Sequence, residues 1–103
     1  MKYNNNEKNL KLLQEECAEV IQIISKCLRF GMHDVNPKDT CKWSNKMRLE
    51  QEIGHVMAFM QILIDNGLIQ QEGVLSGADH KFRKLKKHYN SNYNKKLWEQ
   101  PDA

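Results

Sequence analysis

A chain of 103 residues, 40% hydrophobic and 28% charged with a formal net charge of +3, can bury one small core and little more. No apolar run approaches the roughly 20 residues of a membrane span, and Met1-Lys2-Tyr3-Asn4-Asn5-Asn6 lacks the apolar core of a signal peptide, so a cytoplasmic location is expected. Cys17, Cys27 and Cys41 form neither an even disulfide set nor a C-x-x-C pair and read as reduced, structural thiols.

Asn4 to Asn6 offer a cap to a first helix over about residues 7–30, in which Leu10, Leu13, Cys17, Val20, Ile21, Ile24 and Leu28 recur at three- and four-residue spacing. Gly31 is its expected stop, and Lys26 and Arg29 suit the negative pole of the helix dipole. Glu16 and Glu19, about 60° apart, lie beside the apolar arc, and Ile23 extends their side with an apolar residue. A fully solvated acidic face is one reading of this pair, and a cation site is the other.

Residues 31–42 carry Gly31, Asn36-Pro37 and two aspartates and read as a loop long enough to cover a site. Ser44 or Asn45 can cap a second helix over about 45–65, and Asn66-Gly67 can end it. Winding this helix about Glu52 places Leu63, Val56, Leu49 and Met60 within roughly 80° on one side and Phe59 about 20° away on the other. A carboxylate thus points into the core stripe, with His55 about one turn further along the same face. Either Glu52 sits at the rim and pairs with a Lys or Arg, or it needs a cation, a proton or a cavity, because burying it bare costs several kcal/mol.

Residues 68–77 are expected to connect to a short third helix over about 78–89, strongly basic through Lys81, Arg83, Lys84, Lys86 and Lys87. The tail, 90–103, is polar apart from Tyr93, Leu97 and Trp98, and no stretch reads as a confident strand. The fold class is therefore all-α: one domain over 1–103 with a core over about 7–89, built as a small bundle of two long antiparallel helices and a shorter third. Stripes too wide for so short a chain imply that oligomerisation completes it.

Antiparallel packing of the two long helices would set Glu16 and Glu19 against Glu52 and His55. Clustered carboxylates repel unless a divalent cation holds them, and Mg²⁺ is the usual ion where phosphate is also bound. Glu15-Glu16-Cys17-Ala18-Glu19, followed after a loop by Leu49-Glu50-Gln51-Glu52-Ile53-Gly54-His55, resembles the MazG-like nucleotide pyrophosphohydrolases of the all-α NTP pyrophosphatase superfamily, whose signature is E-x-x-E and then E-x-x-D on the next long helix. The resemblance covers roughly residues 8–66 and is nearest in flavour to small bacteriophage or bacterial members, which would place a phage-encoded chain in the host cytoplasm. It implies a Mg²⁺-dependent enzyme that cleaves nucleoside triphosphates to the monophosphate and pyrophosphate, as a homodimer or homotetramer. Carried over, Glu16, Glu19 and Glu52 become the catalytic and metal-binding carboxylates. Lys26 and Arg29 on the first helix are candidates for triphosphate contacts, with a cationic helix end as the alternative.

His55 stands where that family has Asp. A neutral imidazole removes a negative charge and offers nitrogen, so His55 either ligates a nitrogen-tolerant metal such as Mn²⁺, leaves a weaker site, or impairs the catalyst in a protein that still binds nucleotide. Trp43 and Trp98 could stack on a base or serve in packing. A phosphoribosyl-ATP pyrophosphohydrolase shares the acidic helices and is a second enzyme reading. A nucleic-acid binder built on the basic third helix is the non-enzyme reading, disfavoured by the low net charge and the lack of interleaved aromatics.

Overall fold

The computed structural model describes residues 5–89, which hold three α-helices, α1 (Asn6–Phe30), α2 (Asn45–Asp65) and α3 (Gln71–Tyr89). Among the described residues there is no strand, and the extended backbone that occurs is an isolated antiparallel bridge between Val35 and Ser44. The all-α class expected from the hydrophobic periodicity is therefore what forms. Tyr93, Leu97 and Trp98 lie outside the described residues. The chain divides into two compact units between Leu68 and Ile69.

The first unit is the α1–α2 hairpin, and local chemistry sets its ends. The Asn5 side chain accepts the Lys8 N–H at 3.0 Å and caps α1, while Ser44 accepts the Met47 N–H at 3.2 Å and caps α2. Gly31 closes α1 at φ +98°, a left-handed value that favours glycine. At the end of α2, Gly67 adopts φ +78°, its N–H reaches Ile64 O at 2.9 Å, and the Leu68 N–H reaches Leu63 O at 3.0 Å. This pair of bonds is a Schellman motif, and it satisfies carbonyls that the last helical turn leaves open.

Cross-helix bonds at both ends make the hairpin antiparallel. The buried Asn45 amide donates to Gly31 O at 2.9 Å and to Lys26 O at 3.4 Å, joining the start of α2 to the end of α1. At the opposite end the Asn66 amide donates to Asn6 Oδ1 at 3.2 Å. The loop between the helices is tied down too: Asn45 N–H donates to Asp34 O, Lys46 N–H to Met32 O, and Arg48 pairs with Asp39.

The packed face of α2 is the stripe expected around Glu52, with Leu49, Val56, Phe59 and Met60 half-buried and Leu63 only 1% exposed. The packed face of α1 is rotated from the expected one. Leu12, Leu13, Glu16, Val20, Ile23 and Cys27 turn inward, whereas Leu10, Cys17, Ile21, Ile24 and Leu28 remain exposed, Ile21 by 69% and Leu28 by 83%. The reason is arithmetic: α1 is apolar over more than half its circumference, and a single partner helix covers only the side that includes Ile23.

In the second unit, α3 begins at Gln71, seven residues before its expected start. Gly73 and Gly77 do not break it, because Val74, Ala78, Phe82 and Leu85 carry one continuous half-buried stripe through both glycines. Arg83 pairs with Asp79 one turn away.

Asn45→Ala strips the donors from Gly31 O and Lys26 O, so chemical denaturation is expected to show a loss of about 1–3 kcal/mol, roughly 0.5–1.5 for each of the two part-buried bonds.

Candidate metal centre

Position 16 on α1 and positions 52 and 55 on α2 meet halfway along the seam between the two helices. His55 Nδ1 lies 3.1 Å from Glu16 Oε2 and 3.5 Å from Glu52 Oε2. One donor atom from each of Glu16, Glu52 and His55 falls within 4.8 Å of the others. The i, i+3 spacing of Glu52 and His55 aims both at the same point, and the antiparallel register brings Glu16 to it from α1. The side chains of Glu16 and Glu52 are 24% exposed and that of His55 is 43% exposed, so one side of the cluster is open to an entering ion.

The ring of His55 is held at both nitrogens. Gln51 Nε2 lies 3.3 Å from His55 Nε2, one turn back on α2, while Nδ1 faces the carboxylates. A donating Gln51 amide makes Nε2 the acceptor and Nδ1–H the donor to Glu16 in the neutral ring. Glu52 fares worse. Its Oε2 is shielded from solvent without a hydrogen-bond partner, and His55 sits near it at a distance long for a hydrogen bond. Burial holds the Glu52 carboxyl above the ordinary carboxylate range, the neighbouring Glu16 carboxyl and the charge of Glu19 push the same way, and His55 opposes them.

The alternative of a rim carboxylate paired with Lys or Arg does not occur: among the described residues the cations bridge elsewhere, Lys46 to Glu50, Arg48 to Asp39 and Arg83 to Asp79. With its ring proton moved from Nδ1 to Nε2, His55 joins the two carboxylates, one with a shielded unsatisfied oxygen, in a donor set that suits a divalent cation, and the nitrogen favours a transition ion over Mg²⁺.

Not every residue expected in the site joins it. Glu19 is exposed and stands outside the group of converging donors, though its charge is felt at Glu52. Lys26 lies ten residues from Glu16, about 15 Å along the helix, and lines a separate cavity of about 670 Å³ with Phe30, Asn45 and Arg48. Arg29 stacks on Phe30, with 4.9 Å from the guanidinium carbon to the ring centroid. Gln51 is a contributor not singled out from the sequence, and Asn45, expected as a possible cap of α2, ties α2 to the end of α1 instead. Gln51 had a signal, four residues before His55 on the same face, whereas the bonds of Asn45 to the end of α1 depend on the fold.

Because the folded-state pKa of Glu52 is raised, the carboxylate costs stability once pH rises above the unfolded value near 4.5 and through the folded one. Glu52→Gln is therefore expected to melt higher than the parent at pH 7 in metal-free buffer. That advantage should shrink as pH is lowered toward 4.5, as followed by circular dichroism.

No protein-family model matches this chain, and neither a curated protein nor a solved structure shows significant similarity to it.

Proposed function

We propose that this protein is a divalent-cation-dependent nucleoside triphosphate pyrophosphohydrolase that cleaves (deoxy)nucleoside triphosphates between the α and β phosphates. The observation that carries the reading is the convergence of Glu16, Glu52 and His55 within 4.8 Å across the helix seam, in the E-x-x-E and E-x-x-H spacing. Glu16, Glu52 and His55 would hold the ion, and Glu19 adds negative charge one turn along α1. The bound ion supplies charge neutralisation for phosphate oxygens and an acidified water. A water oxygen would bond to the α phosphorus as the bond from that phosphorus to the α–β bridging oxygen breaks, pyrophosphate leaving on the bridging oxygen and the water's proton passing to solvent. Mg²⁺ is the ion expected for phosphate chemistry, and His55 gives Mn²⁺ the better fit. Lys26 and Arg29 would have to reach the phosphates from the far end of α1.

The working form in this reading is a homodimer or homotetramer. Its support is the exposed apolar surface of the hairpin, Leu10, Ile21, Ile24 and Leu28 on α1 with Ile53 and Met57 on α2, which a second copy would cover. A monodisperse monomer in light scattering at micromolar concentration would remove this part of the proposal.

A second reading, nucleotide binding without cleavage, is favoured by one contact: His55 Nδ1 already bonds Glu16, so the cluster is partly satisfied with no ion. Pyrophosphate release from each nucleoside triphosphate, with Mg²⁺, with Mn²⁺ and with chelator, separates the two. Metal-dependent release is the expected outcome. Glu16→Gln and Glu52→Gln should each lower it by more than the roughly 10–100-fold that loss of an outer-shell partner costs.

His55→Asp returns an oxygen ligand and a negative charge, so it should tighten Mg²⁺ and erase the relative advantage of Mn²⁺. Equal affinities for both ions in the parent, His55→Asn and His55→Asp would take His55 out of the coordination sphere.

A further inference from the structure

A groove of about 470 Å³ runs along α2 immediately beside the carboxylate cluster, lined by Trp43, Met47, Glu50, Gln51, Gly54 and His55. Its volume falls in the range of about 300–1,000 Å³ usual for small-molecule sites. Trp43 gives it an indole wall and Met47 a polarisable one, both suited to the face of an aromatic ring. Glu50 is engaged by Lys46 at 2.8 Å, which leaves the Gln51 amide as the uncharged hydrogen-bonding group.

Gly54 is the most telling residue in this groove. Glycine within a helix costs about 0.5–1 kcal/mol relative to alanine, yet a Cβ at this position would meet nothing within 4 Å. The missing side chain leaves the backbone open at this point of the groove, as it does at the other four glycines. His55 forms the boundary between groove and cluster: Nδ1 faces the carboxylates, and Nε2 faces Gln51 on the groove side.

We propose that this groove is the nucleoside pocket of the same site, with a nucleobase against Trp43 and the Gly54 backbone, Gln51 bonding its polar edge, and the phosphates directed past His55 to Glu16 and Glu52. The inference rests on the nucleotide reading above and extends it to the residues that receive the base. A second copy of this chain crossing α2 at Gly54 is the competing occupant. The nucleoside is favoured because the groove is continuous with the cluster through His55 and carries the polar amide of Gln51, whose nitrogen meets His55.

The test uses the full chain with Trp98→Phe, which leaves Trp43 as its one tryptophan. Adenosine, guanosine, cytidine and uridine, which carry no phosphate, are titrated without metal while Trp43 emission is followed. Saturable quenching by at least one of them is expected. Gly54→Leu, which fills the groove with a better helix former, should weaken that binding at least ten-fold while Mn²⁺ affinity stays within two-fold and helix content is kept. The proposal is overturned if no nucleoside perturbs Trp43, or if Gly54→Leu leaves the titration unchanged. It is overturned equally if Trp43 emission follows protein concentration and Gly54→Leu shifts self-association instead. Nucleoside binding that persists in a protein releasing no pyrophosphate would uphold the pocket and sink only the hydrolase reading.

Discussion

Two carboxylates share a seam that a purely structural hairpin would fill with apolar side chains. Glu16 and Glu52 take core-facing positions on helices whose neighbouring contacts are Leu13, Val20, Ile23, Leu49, Val56 and Leu63, and the counter-group within reach is His55. A hydrogen bond to imidazole relieves Glu16, but it leaves the shielded oxygen of Glu52 unsatisfied, and burial raises the proton affinity of that carboxyl. A hairpin that carries such a penalty at its centre gains from whatever supplies positive charge there, a proton at low pH or a cation at neutral pH.

The position of that cluster depends on the register of two helices, and the register is set remotely. At one end Asn45 joins the first turn of α2 to Lys26 O and Gly31 O, and at the other Asn66 reaches Asn6. A one-residue slip of α2 would turn each of its side chains by about 100° and carry Glu52 and His55 away from Glu16. The bonds from the loop to Asn45 and Lys46, with the Arg48–Asp39 pair, oppose that slip. The chemistry proposed for the seam thus rests on polar groups at the hairpin ends.

The hairpin is short of partners as well as charge. Ile23 and Leu63 are its buried apolar side chains among the described residues, while the wide face from Leu10 to Leu28 stays in water. At about 25 cal/mol per Å² of apolar area removed from water, covering a face of this kind is a substantial reserve of free energy. The outer side of α2 differs, because Trp43, Gly54 and Gln51 combine an aromatic wall, an open backbone and a hydrogen-bonding edge, whereas Leu10, Ile21, Ile24 and Leu28 on α1 are aliphatic.

Local rules in the sequence reached the helix ends and the packed face of α2. Asn5, Gly31, Ser44 and Gly67 act through contacts within a few residues, and the Glu52 stripe follows from winding one helix. They did not reach the start of α3, where a continuous stripe through Val74 and Ala78 outweighs two glycines and the helix begins at Gln71. Nor could they choose the inward face of α1, since its apolar residues cover more than one side and only packing against α2 selects Glu16 and Ile23 over Ile21 and Leu28. The spacing of Glu16, Glu19, Glu52 and His55 was enough to nominate four residues. Which donors converge was decided by the register across the seam, which brings Glu16, Glu52 and His55 together and leaves Glu19 exposed, because contacts between distant segments depend on tertiary bonds such as those of Asn45 that no local pattern encodes.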